Sequence, residues 1–113
     1  MGSTPVEVFE ANKDFLEDPM ELIKQYQFSL KGIPTTITVR LLRYFGSDKI
    51  HFTQSHYIKT PTQIDAYVTS HPYNNDADSA LSQVVTGFTR FYSEAVSKGH
   101  APSKDWLVAN EYF

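Results

Sequence analysis

The chain has 113 residues, of which 41% are hydrophobic, 14% aromatic and none cysteine, with a net charge of −3. A domain of this size buries ~60–70% of the surface its unfolded chain exposes, so it carries a core without metal or disulfides. The composition excludes disulfide and thiol chemistry, and no apolar run reaches the ~18 residues of a membrane helix.

The N-terminus shows no basic start followed by an apolar block, so no secretory signal is expected. The default is one cytoplasmic domain over residues 1–113, with residues 1–5 disordered. The charge is unevenly placed. Residues 1–23 hold six acids against Lys13, residues 24–59 hold six bases against Asp48, and residues 60–113 hold six acids against three bases. The basic block coincides with the segment that reads as strands. Acidic helices lying near that sheet would neutralise it; an uncovered basic face would suit an anionic ligand.

In chain order, Val6 and Val8 alternate with polar residues and allow a fourth, N-terminal edge strand. The stretch FEANKDFLED reads as a short helix. DPME reads as a helix start, with Asp18 as cap, Pro19 at the first helical position and Glu21 closing a capping box. Alternation then begins in YQFSL, with Tyr26, Phe28 and Leu30 on one face. KGIP turns the chain at Gly32. TTITVRLLRYF is the clearest strand, with Ile37, Val39 and Leu41 in line. GSDK turns again, and KIHFTQSHYI returns with Ile50, Phe52 and Ile58 on the same face. The result is a three-stranded antiparallel meander.

TPTQ repeats the capping pattern and predicts a short helix burying Ile64, Tyr67 and Val68. SHPYNNDAD is a loop. The last helix carries the strongest signal: Leu81, Val84, Val85, Phe88, Phe91, Tyr92, Ala95 and Val96 form one apolar stripe over about four turns. Gly99 ends it and Pro102 prevents its restart. Residues 103–113 form an aromatic tail. Stripe and sheet each need an apolar partner, so the fold class is α+β, with the long C-terminal helix and shorter helices on one face of the sheet.

The polar residues of KIHFTQSHYIKTP do not form one cluster on a strand. The pleat puts Ile50, Phe52, Gln54, His56 and Ile58 on one side, and His51, Thr53, Ser55, Tyr57 and Lys59 on the other. Gln54 and His56 fall in line with the core residues. Unpaired burial would cost ~1–3 kcal/mol each, so the first expectation is that they are hydrogen-bonded there. The alternative is a ligand pocket between sheet and helix, with His56 as its acid, base or ligand-binding group and Arg40, Gln54, Tyr57 and Lys59 in support. The opposite face gathers Thr38, Arg40, Leu42 and Tyr44 beside Lys49, His51 and Thr53, provided the turn at Gly46 and Ser47 keeps an even loop length.

No phosphate loop, nucleophile elbow or metal-binding histidine spacing occurs, and no cofactor or metal is expected. His56 is the one weak catalytic candidate. In outline, helix, three strands and helix is similar to the double-stranded-RNA-binding domain. Such a domain opens its last helix on a basic cluster; here that place reads NNDADSALSQ, which is acidic, and nucleic acid is disfavoured. The leading expectation is therefore a non-catalytic interaction or regulatory module that binds a protein partner or itself as a dimer. Its interface candidates are Tyr44, His51, Trp106, Tyr112 and Phe113. The alternatives are a ligand-binding protein or enzyme built on His56, and nucleic-acid binding on the basic aromatic face.

Overall fold

The computed structural model describes residues 2–113. Its elements in order are α1 (Pro5–Ala11), β1 (Met20–Phe28), β2 (Ile37–Tyr44), β3 (Ile50–Gln54), β4 (His56–Ile58), β5 (Tyr73–Asn74), α2 (Ala77–Ser97), a 3-10 turn (Lys104–Trp106) and β6 (Leu107–Ala109). An antiparallel sheet of order β1-β2-β3-β5 carries α2 on one face, and β4 pairs with β6 in a second, two-stranded sheet. The α+β class and the meander of β1, β2 and β3 follow the expectation. The fourth strand of the sheet is β5, added at the β3 edge; Val6 and Val8 lie in α1 instead.

Met1 lies outside the described residues. Thr4 and Pro5, within the stretch expected to be disordered, start α1: the Thr4 side chain accepts from Glu7 N at 3.2 Å, and Pro5 sits in the first turn. The second expected helix, from Asp18, does not form. Asp18 takes φ +47°, and the Pro19 carbonyl accepts from Phe45 N at 3.1 Å, so the chain enters β1 directly. Local capping chemistry at DPME loses to eight residue pairs with β2. A bulge between Leu22 and Lys24 interrupts that pairing. With the exposed Lys24 it protects the outer edge of β1 against strand addition.

The core forms where β2 meets α2. Ile37, Val39 and Leu41 are fully buried, as the β-branched alternation requires. Across from them lie Ala80, Val84, Phe88 and Ala95 of α2. Leu81, Val85, Phe91 and Tyr92 flank this line, half-buried, while Val96 is exposed. Asp76 caps α2, accepting from Ser79 N at 2.7 Å and Ser79 Oγ at 3.0 Å. The backbone hydrogen bond first, then the hydroxyl, holds its carboxyl below the usual carboxylate range. Gly99, at φ +89°, closes the helix.

The single strand expected over residues 49–58 is bent at Ser55. Ser55 N donates to Thr38 O at 2.9 Å, and Ser55 Oγ accepts from Thr38 N at 2.8 Å. The side chain thus takes over one ladder bond, and the backbone turns away from β2. Beyond the bend β4 pairs with β6, drawn from the aromatic tail. Asn110 seals the junction: its N donates to Ser55 O at 2.8 Å and its Nδ2 to Gln54 O at 2.9 Å.

The expected helix after Thr60 is replaced by a turn. Gln63 does reach back, accepting from Thr60 N at 2.8 Å, but its Nε2 donates to Ile58 O at 3.0 Å and fastens the segment to β4. Ile64 and Val68 are exposed rather than buried. Tyr67 alone turns inward, with its ring 5.1 Å from Phe91 and directly over Gly87. A Cβ at Gly87 would lie 2.9 Å from Tyr67 Cε2. Alanine gains about 1 kcal/mol of helix propensity over glycine, and overpacking costs about 1–3 kcal/mol. Gly87→Ala is expected to lose about 1 kcal/mol in a denaturant melt, and to gain about 1 kcal/mol in a Tyr67→Ala background. A gain in both backgrounds refutes the contact.

The molecule is long. It measures 60 × 25 × 24 Å with a radius of gyration of 17.2 Å, against about 13 Å for a compact chain of this length. Its accessible surface is 7607 Å², against about 6,300 Å² for this mass. The excess surface goes with the N-terminal end: α1 contains no buried residue, and Val6, Val8, Phe15, Leu16, Met20 and Leu22 are all exposed.

Candidate functional site

The face of the sheet turned away from α2 follows from the register. Leu22 pairs with Leu42, Leu42 with His51, and His51 with Tyr73. Paired residues on antiparallel strands share a face, so these four side chains form one row across all four strands. The next row runs Gln25, Arg40, Thr53. Tyr44, paired with Met20, extends the apolar part. The even loop at Gly46 and Ser47 is thereby realised, and Arg40, Leu42, His51 and Thr53 meet as expected.

Aromatic contacts tie the row together. His51 lies edge-on to Tyr44 at 5.0 Å and tilted against Tyr73 at 5.4 Å. Tyr73 in turn meets His71 at 5.9 Å. Arg40 donates from Nε to Gln25 Oε1 at 3.1 Å, and its guanidinium sits 4.1 Å from the centre of the Phe113 ring. Lys49, at the rim, donates to Asn75 Oδ1 at 2.6 Å. These rows contain no carboxylate. Among the described residues, one ion pair joins the acidic N-terminal stretch to the basic segment: Arg43 to Glu21 at 3.4 Å. Glu21 is itself in β1, so among the described residues no ion pair joins a helix to the sheet.

The five expected ligand-binding residues are not brought together. Arg40 is on the outer face. Gln54 and Tyr57 share a groove of about 240 Å³ with Val68, Pro72 and Asn110. Lys59 lines a different one, of about 420 Å³, with His100 and Trp106. His56 pairs with Ala109 in β4, and its Nδ1 lies 2.8 Å from Ser55 Oγ. That hydroxyl already accepts from Thr38 N. The same hydroxyl thus joins Thr38 N and the His56 ring at the bend. Gln54 Nε2 donates to His56 O at 2.9 Å. The two polar residues in line with the core are thus spent on holding the bend.

Between sheet and α2 the cavity beside Gln54, Tyr67, Gln83 and Phe88 holds about 10 Å³, room for one water at most. A wider groove of about 470 Å³ runs along α2, lined by Tyr67, Asn74, Ser82, Gln83, Thr86 and Arg90. At the end of the groove the Arg90 guanidinium lies over the Phe91 ring, 4.5 Å from its centre. Among the described residues no group of three His, Asp or Glu side chains is placed to hold a metal, and no helix is long and apolar enough to cross a membrane.

Of the five expected interface residues, Tyr44 and His51 lie together on the outer face, and Phe113 reaches it beneath Arg40. Tyr112 is 90% exposed. Trp106 is corrected: it is buried to 4% and packs edge-on against Tyr92 at 5.9 Å, so it belongs to the core. Sequence reasoning misses Leu22, which it places in a helix, and Tyr73, which it places in a loop. The readable signal was the alternation of Met20 and Leu22 with Glu21, overshadowed by the capping pattern. Compared with family models, curated proteins and solved structures, the chain matches none.

Proposed function

We propose that this chain is a non-catalytic interaction module that associates with itself through the outer face of its sheet. The observation that carries this reading is the row Leu22, Leu42, His51 and Tyr73, which joins apolar and aromatic groups across four strands on the side away from α2. Leu22 is 53% exposed and Tyr73 37%. Aromatic and aliphatic groups with few charges are what interface centres use. Nucleic acid suits the face less well. Arg40 and Lys49 offer about two phosphate contacts, against the ~6–10 made by proteins whose binding falls steeply with salt.

Light scattering on the intact chain and on Leu42→Glu tests the proposal. The intact chain is expected at twice 12.9 kDa, and the variant at the single mass with an unchanged circular dichroism spectrum. Equal masses for the two refute it.

A further inference from the structure

The N-terminal arm, residues 5–18, is poorly used by its own chain. Phe9 stacks on Phe45 at 4.8 Å and Val6 lines a shallow hollow beside Arg43. Yet Val8, Phe15 and Leu16 stay 47%, 86% and 45% exposed. Phe15 is the most costly of these, since leaving such a ring in water forfeits the burial that drives association. The same arm carries Glu7, Glu10, Asp14, Glu17 and Asp18 against Lys13. Lys13 is occupied by Glu10 at 2.9 Å. The arm is therefore apolar and acidic at once.

The outer sheet face has the opposite make-up. It presents Leu22, Leu42 and Tyr44 next to Arg40 and Lys49, with no carboxylate in its rows. We infer that the occupant of this face is the N-terminal arm of a second copy, the two copies exchanging arms about a two-fold axis. The inference rests on the self-association proposed above and names the contact. Phe15 and Leu16 lie on the Leu22–Leu42–Tyr44 patch, and the carboxylates of Asp14 and Glu17 meet Arg40 and Lys49. Exchange makes the contact twice, once per copy. That doubling brings a short segment toward the ~800 Å² per partner of a stable interface.

The test uses full-length chains. Asp14 and Glu17 are exposed and lie beyond α1, so Asp14→Lys with Glu17→Lys leaves the fold intact. Arg40→Glu with Lys49→Glu reverses the face. Each double variant alone is expected to weaken the dimer by about tenfold or more. An equimolar mixture is expected to regain the native dimer, because each arm then finds a face of opposite sign. Phe15→Ser removes the apolar half and is expected to give monomer with an unchanged circular dichroism spectrum. If Leu42→Glu breaks the dimer while the arm variants and Phe15→Ser do not, the arm is not the occupant and self-association through the face stands. If the native chain is monomeric, both readings fall. If the mixture fails to regain the dimer, the charge pairing is wrong.

Discussion

Phe88→Ala is expected to cost about 3–5 kcal/mol in a urea melt, a large share of the stability of the whole domain. Phe88 is 1% exposed and lies at the centre of α2, edge-on to Phe28 of β1 at 5.7 Å. Its ring reaches past β2 to the first strand. Around it, Val84 and Ala80 on the helix and Val39 and Leu41 on the sheet are closed to solvent. Such walls cannot collapse onto the space a ring leaves, so the cavity cost adds to the lost transfer energy. A domain of this size has about 5–15 kcal/mol in all. Phe91→Ala is the comparison: the ring is half-buried, with Arg90 and Tyr67 on it at 4.5 and 5.1 Å, and should cost less. Equal midpoints for the two variants contradict this account of the core.

Trp106→Ala is expected to cost a similar ~3–5 kcal/mol and to release the last strand with it. Trp106 is 4% exposed, stands edge-on to Tyr92, and its carbonyl accepts from Lys59 N at 2.7 Å. The next three residues are β6, the strand partner of β4 among the described residues. Losing the indole therefore loosens the anchor of β6, and with it Ile58 of β4, which is 1% exposed. Hydrogen exchange should show Tyr57 and Val108 exposed first. A chain cut after Lys104 should behave as the substitution does or worse, since it lacks both anchor and strand. A cut chain as stable as the intact one would show that the tail only rests on the domain.

The parts legible in the sequence were those where one period ran long enough to outvote local chemistry. The stripe from Leu81 to Ala95 fixed α2, and the β-branched run from Ile37 fixed β2. The register across Gly46 and Ser47 was not legible: an odd loop or a bulge fits the same residues, and the pairing of Leu42 with His51 is what decides it. Two capping signatures misled, at Asp18 and at Thr60. Both supply the first turn of a helix, and neither is followed by enough periodic residues to pay the nucleation cost. The break at Ser55 left a trace, two polar residues in the core line. The trace says that hydrogen bonds are needed at Gln54 and His56, and their side chains find them close by, at His56 O and Ser55 Oγ. The bonds that set the bend itself, Ser55 with Thr38 and Gln54 O with Asn110, span 17 and 56 residues. No local reading reaches that far. The same distance hid the role of Trp106. As an aromatic residue near the end of the sequence it looked available to a partner; β6 pairing with β4 is what draws it inside.

The seam at Ser55 also orders the assembly of the molecule in time. The meander and helix close through short connections, whereas Asn110 must find Gln54 across 56 residues. Closing a flexible loop of that length costs on the order of 3–4 kcal/mol in entropy, a cost greatly reduced once α2 has docked and carried the chain back to the sheet. The small β4–β6 ribbon is thus a latch fastened last, and the bend that interrupts the third strand is what gives it an edge to fasten to.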